Sequence, residues 1–192
     1  GGNLGTGIIR TLNENHIVLD VSLSKPPPPR HPLEVVMALP RPKLLRRVLR
    51  TAAEFGVKRM HIIQSNRVEK SYWQSPALQT KKIQAALNAG LERAGDTLSP
   101  EIIIHKRFRP FVEDELPKII GDRICWLADP GADKSLSTVA VAPGVIMLGP
   151  EGGFIPFEID LACSVGARKA HLGKRILSVD TALAAALAKP TC

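Results

Sequence analysis

Val145-Ile-Met-Leu-Gly-Pro-Glu-Gly-Gly-Phe154 and, further on, His171-Leu-Gly-Lys-Arg-Ile-Leu-Ser-Val-Asp-Thr-Ala182 follow one plan. Each opens as a short apolar strand that stops at a glycine, Gly149 or Gly173, and each leads into a helix. Gly149, Gly152 and Gly153 surround Pro150 and Glu151, so three glycines fall in five residues. Such a loop leaves backbone N–H and C=O groups uncovered and permits positive φ. It suits a ligand that lies against the main chain. Thr181 to Ala188 is almost all alanine and leucine, which predicts a helix with a small-residue face.

Outward from these stretches the alternation continues. Strands are expected at Leu33–Leu39, Lys58–Ile63, Glu101–Lys106, Arg123–Ala128, Val145–Leu148 and Lys169–Leu172. Between them, helices are expected at Arg41–Phe55, Gln79–Ala94, Phe111–Ile120 and Pro156–Val165, and Tyr72–Pro76 as a loop. Leu44, Leu45, Val48, Leu49 and Ala52 share one face of the first helix. Gly56, Gly95 and Gly166 stand where helices stop. Strands alternating with helices predict a parallel α/β sheet flanked by helices. Open parallel sheets bind ligands at the carboxyl ends of their strands. The loops at Asp129-Pro-Gly131, Gly149–Gly153 and Gly173–Leu177 therefore converge on one edge.

The first residues differ. Gly7–Arg10 and His16–Leu23 are expected as two strands joined at Thr11–Asn15, and two strands alone are not a stable sheet. Lys25-Pro-Pro-Pro-Pro-Arg30 is an extended spacer. The chain divides into a strand pair at 1–24, a linker at 25–32 and the α/β domain at 33–192.

Composition bounds the function. The 192 residues carry a net charge of +8 and a pI near 9.7, which points to a polyanionic partner. Apolar content of 44% is ordinary for a globular chain, and no apolar run approaches the roughly 20 residues of a membrane span. Cys125, Cys163 and Cys192 are widely spaced, with no zinc-ligand pattern. Cys125 and Cys163 are expected as buried free thiols, which fits a reducing compartment.

The glycine loop matches neither the Walker A nor the dinucleotide-binding pattern. Arg41, Lys43, Arg46, Arg47 and Arg50 fall within ten residues without an acid among them. That run is either a solvated face or a row of phosphate contacts, which Lys58, Arg59, Arg67 and Lys70 could widen. Tyr72 and Trp73 beside it could stack on an unpaired base, or Trp73 could pack in the core.

Gly-Pro-Glu-Gly-Gly-Phe at 149–154, then Leu-Gly-x-Arg-Ile-Leu at 172–177 and the Asp180-Thr-Ala helix, resembles the RsmE family. Ala38-Leu-Pro-Arg-Pro-Lys43, Ala53-Glu-Phe-Gly-Val57 and Arg67-Val-Glu-Lys-Ser-Tyr-Trp-Gln-Ser-Pro76 extend the likeness over roughly residues 33 to 188. Those are SPOUT-class enzymes that methylate N3 of a uridine in small-subunit ribosomal RNA. The resemblance implies a C-terminal deep trefoil knot, a PUA-like β-barrel whose last strands lie at 1–24, a homodimer and a cytoplasmic location without a metal. It implies S-adenosylmethionine held by Leu127, Ala128, Leu148, Gly149, Gly152, Gly153, Leu172, Gly173, Ile176, Leu177 and Thr181. Arg175 would stabilise charge on the uracil oxygens, Glu151 would take the N3 proton or shape the loop, and Arg41, Lys43, Arg46, Arg47 and Arg50 would contact RNA. Ser178 stands where the family commonly has Arg, Asp180 where it has Glu, and Glu92-Arg-Ala-Gly-Asp96 where it has a Glu-Gln pair with a nearby Arg. Asp180 is also read as a helix N-cap. These departures leave ribose 2′-O methylation, or a non-catalytic RNA-binding relative, as alternatives.

Overall fold

The structure, a computed structural model, describes residues 2–139 and 143–188. A six-stranded sheet forms its centre, built from β3 (Leu33–Ala38), β4 (Arg59–Ile63), β5 (Glu101–His105), β6 (Ile124–Ala128), β7 (Gly144–Leu148) and β8 (Ala167–Ala170). The spatial order is β5-β4-β3-β7-β6-β8, and every neighbouring pair is parallel. The sheet starts at β3 and builds outward through β4 and β5; the chain then returns to the other side, where β7 fills the place between β3 and β6 and β8 pairs outside β6. β3 and β7 are buried along their whole length, as strands covered on both faces must be. This is the expected parallel sheet flanked by helices.

One helical layer holds α1 (Pro42–Glu54), α2 (Thr80–Ala94) and α6 (Val179–Leu187), with α1 packed on both others. The second holds α3 (Phe108–Pro110), a π-helical turn at Phe111–Glu115, α4 (Leu116–Ile120) and α5 (Pro156–Ser164). α1 starts at Pro42, whose missing N–H costs nothing in a first turn. It buries Leu45, Val48, Leu49, Ala52 and Ala53, while Leu44 of the expected face is only half-buried. The α1–α2 crossing requires Gly90, because a Cβ there would lie 2.6 Å from the Arg50 carbonyl oxygen.

Some expectations shift. The last strand ends at Ala170, not Leu172. Beyond it, His171 pairs with Ser135 instead of β6, and its N–H reaches the Lys134 carbonyl at 2.8 Å. That frees Leu172 from the sheet. The stretch expected as a loop forms 3-10 turns at Lys70–Gln74 and Pro76–Leu78, the second capped by the Ser75 hydroxyl. The helix expected from Phe111 begins at Phe108, with π geometry in its middle. Cys125 is buried as expected, and burial pushes its thiol up to about 12; Cys163 is only half-buried, because α5 turns it partly outward. Cys192 lies outside the described residues.

Under the second helical layer lies a polar chain. The buried Glu34 carboxylate meets His61 Nε2 at 2.9 Å and accepts from Arg123 Nη2 at 2.8 Å, while His61 Nδ1 lies 3.1 Å from His105 Nε2. Burial raises the Glu34 pKa, but the bonds from His61 and Arg123 outweigh it and hold the group below its ordinary value.

β1 (Leu4–Leu12) and β2 (Ile17–Lys25) form a separate antiparallel ribbon that carries Ile8, Leu12, Ile17 and Val21 exposed. The linker's end is tied to the sheet domain. Arg30 pairs with Asp96 at 2.7 Å and donates to the Val57 carbonyl, and a ring nitrogen of His31 lies 3.0 Å from the Leu187 carbonyl. Asp96, one of the departures, is therefore a structural anchor. Among the described residues, no helix is long and apolar enough to cross a membrane.

Candidate active site

A cavity of about 350 Å³ opens where the loops after β6, β7 and β8 meet. The glycine loop forms one wall, and Leu127, Leu148, Leu172 and Leu177 give it apolar sides. Ala128, Gly149, Gly152, Gly153, Gly173 and Ile176 line it as well, as do Arg175 and Glu151. Thr181 is the exception. Its hydroxyl turns to the Ser178 hydroxyl at 2.9 Å in the first turn of α6, and Ala182 reaches the cavity instead. The two are neighbours in sequence, about 100° apart around the helix, and only the docking of α6 decides which faces in.

Within the glycine loop, Gly153 N–H bonds to the Pro150 carbonyl at 2.8 Å, closing a turn. Gly153 takes the positive φ, +73°, whereas Gly152 is not among the positive-φ residues. A Cβ on Gly152 would instead lie 2.9 Å from Cδ of Arg67. Arg67 Nη1 donates a hydrogen bond to the Gly152 carbonyl. Glu151 Oε1 accepts from the Arg41 backbone N–H at 3.0 Å, so this carboxylate ties the loop to the start of α1. Asp129 is a second carboxylate on the wall, and its Oδ1 accepts from Gly131 N–H.

Arg175 is exposed at the rim and has no ion pair or hydrogen bond among the described residues, and Ile176 beside it is 88% exposed. Ser178, not Asp180, occupies the N-cap position of α6. The Asp180 side chain accepts from the Ser178 hydroxyl at 2.6 Å and from Arg47 at 2.7 Å, and these bonds lower its pKa.

The basic run on α1 is partly committed. Arg41 stands 4.0 Å from Glu151, Arg47 pairs with Asp180, and Arg50 lies 3.9 Å from Glu54. Lys43 and Arg46 are exposed, with no ion pair among the described residues. Tyr72 is half-exposed and donates to Glu69; Trp73 packs against the core and donates to the Gln64 side chain.

Arg67, Asp129, Phe154 and Val179 line the cavity without having been singled out as site residues. Asp129 opens the Asp-Pro-Gly turn that the sequence already groups with the converging loops, and the cavity is where its side chain faces. Arg67, which the sequence offers only as a residue that could widen the basic patch, comes from beyond β4, across the sheet, and nothing local places it at the cavity. Among the described residues, no group of three or more His, Cys, Asp or Glu side chains is placed to hold a metal ion.

A family model described as an RNA methyltransferase domain matches residues 26–189. Ribosomal RNA small subunit methyltransferase E of Treponema pallidum is 32% identical over 162 residues, covering 82% of this chain and 60% of that protein. The protein of the same name from Mycobacterium tuberculosis is 26% identical over 172 residues, covering 84% of this chain and 63% of its own length. The chain thus spans about three-fifths of these relatives. Ribosomal RNA small subunit methyltransferase E from Neisseria gonorrhoeae, bound to S-adenosyl methionine, superposes with a TM-score of 0.77 at 18% identity, over 96% of this chain and 76% of the other. A Legionella pneumophila methyltransferase with bound SAM gives 0.71 at 23% identity, over 95% and 76%.

Proposed function

The chain belongs to the RsmE branch of the RNA methyltransferase domain family, and from this we propose that it transfers a methyl group from S-adenosylmethionine to N3 of a uridine in small-subunit ribosomal RNA. The observation that carries the reading is the cavity itself. It combines apolar side walls with uncovered main chain from the 149–153 loop, at the carboxyl ends of parallel strands. An adenosine fits such a lining, with its ring between Leu127, Leu172 and Leu177 and its polar edge toward backbone groups.

When bound, S-adenosylmethionine supplies an electrophilic methyl group on its sulfonium. The chain's own residues prepare the uridine. N3 must lose its proton before it can attack. Arg175, unpaired at the rim among the described residues, would stabilise the negative charge that then builds on the uracil oxygens. Glu151 has one oxygen on the Arg41 N–H, while its Oε2 has no hydrogen-bond partner among the described residues; that oxygen is assigned the proton, directly or through water. Lys43 and Arg46 are assigned to phosphates, with Arg41, Arg47 and Arg50 placed beside them by the ion pairs they already make.

The same reading covers the architecture. The exposed apolar ribbon at 1–24 is taken as the closing strands of a PUA-like barrel, with 25–32 as linker and 33–192 as the SPOUT domain. That domain would close in a C-terminal trefoil knot. A second copy of the chain, forming a homodimer, would cover exposed Ile176 at the rim.

Calorimetry with S-adenosylmethionine, followed by mass spectrometry of nucleosides from small ribosomal subunits incubated with the protein, tests the function. The expected product is 3-methyluridine. A 2′-O-methyl nucleoside would move the acceptor to the ribose. No cofactor binding and no product would leave an RNA-binding relative.

A further inference from the structure

Arg67 and Arg175 both line the cavity, but they arrive from opposite halves of the sheet. Arg175 follows β8. Arg67 sits in a turn after β4 that is anchored at several points. Val68 N–H bonds to the Ser65 carbonyl at 3.0 Å, and Gln64 N–H to the His105 carbonyl at 2.9 Å. Glu158, 3% exposed, then joins this turn to α5. Its Oε1 accepts from Asn66 N–H at 2.7 Å, and its Oε2 from the Ser65 hydroxyl at 3.2 Å and from Ile155 N–H at 3.1 Å. The turn that carries Arg67 is thus bolted to the segment in which the glycine loop ends.

From that base the Arg67 guanidinium donates to the Gly152 carbonyl, while the N–H of the same peptide, on Gly153, donates to the Pro150 carbonyl at 2.8 Å. The peptide between Gly152 and Gly153 is held at both ends. A peptide flanked by two glycines is otherwise free to rotate, and Gly153 already occupies the left-handed region. Rotation would turn different polar groups toward the cavity. A charge-assisted hydrogen bond from an arginine is roughly twice as strong as a neutral one.

We infer that Arg67 is a positioning residue for the cofactor loop: through its bond to the Gly152 carbonyl it holds the Gly152–Gly153 peptide in the form that accepts S-adenosylmethionine. This rests on the reading of the cavity as the cofactor site. Without the restraint the competent form is a smaller fraction of the ensemble, and apparent affinity falls by that fraction.

The test compares the wild-type chain with Arg67→Ala, Arg67→Lys and Gly152→Ala. Gly152→Ala leaves Arg67 in place chemically but pushes its side chain off the carbonyl. Cofactor Kd is measured by calorimetry, and exchange of the Gly153 amide by NMR on the ligand-free protein. For Arg67→Ala, Kd is expected to rise about tenfold or more, Gly153 exchange to accelerate, and the melting temperature to stay put, since Arg67 is exposed. Gly152→Ala should follow it, and Arg67→Lys should recover part of the affinity. In turnover, KM for the cofactor should rise while kcat at saturation is kept, a split that general destabilisation would not give. An Arg67→Ala protein with wild-type Kd, or with unchanged Gly153 exchange, overturns the inference. Failure of the wild-type chain to bind the cofactor would instead overturn the reading of the cavity, and Gly153 exchange would still report whether Arg67 holds the loop.

Discussion

On the proposed reading, Gly152 and Arg175 divide the work of the site between space and charge. A valine at Gly152 meets no positive-φ penalty, because Gly153 carries that conformation. It meets Arg67, 2.9 Å from where the new Cβ would lie. Gly152→Val should therefore fold, with a melting curve close to wild type, yet lose S-adenosylmethionine binding in calorimetry. A folded variant that binds normally would remove this loop from the cofactor site. Arg175 makes no bond that Arg175→Ala would break among the described residues. Its loss should leave cofactor Kd nearly unchanged while turnover falls by roughly 10²–10³, as for one lost electrostatic donor. If Kd rises as steeply as turnover falls, Arg175 holds cofactor and not the uridine.

At the scale of an element, α1 does two things with one face. Arg41 and Arg47 reach sideways to Glu151 and Asp180, so α1 braces both the glycine loop and the start of α6. Lys43 and Arg46 are left to solvent or to phosphate. Alanine at both should flatten the salt dependence of RNA binding, because fewer counterions are released, with no change in melting temperature. An unchanged salt slope would make them a solvated face. Arg47→Ala should behave differently. It costs stability by about 1 kcal/mol or less, since the Arg47 side chain is 69% exposed although Asp180 is largely covered, and frees Asp180. The change then registers as a small shift in melting, whatever happens to RNA affinity.

For the whole molecule, acid stability should follow the buried polar chain. Burial first, and then the neighbouring His61, lower the His105 pKa from its ordinary 6.5. The unfolded chain therefore takes up that proton at a higher pH than the folded one, and stability falls as pH drops below about 6.5. Glu34 is held below its ordinary 4.5, so its contribution is present above that value and is lost as pH falls through the lower, folded-state pKa. Melting temperature should decline in these two stages, and His105→Asn should remove the first. An unchanged upper stage in that variant would place the effect elsewhere. The ribbon at β1 and β2 should stand apart: deletion of residues 1–24 is expected to leave a folded domain that binds the cofactor, since Arg30 and His31 anchor the chain after that point. An unfolded product would make the ribbon part of the domain's own stability.

The parallel α/β class, nearly every strand and helix, and the wall of the cavity were determined by sequence alone. Their causes are local: apolar periodicity sets an element, and Gly149, Gly153, Gly166 or Pro156 sets where it starts or stops. Those signals lie within a few residues of the structure they specify. What tertiary structure decided lies across the sheet. Leu172 leaves the sheet because His171 pairs with Ser135. Thr181 faces away because α6 docks on α1. Glu151 ties down the first turn of α1, and three of the five residues of the basic run are spent on ion pairs. Arg67 joins the site across eighty-five positions of chain, to the carbonyl of Gly152. No periodicity encodes such meetings, because each depends on how the folded sheet brings distant loops to one edge.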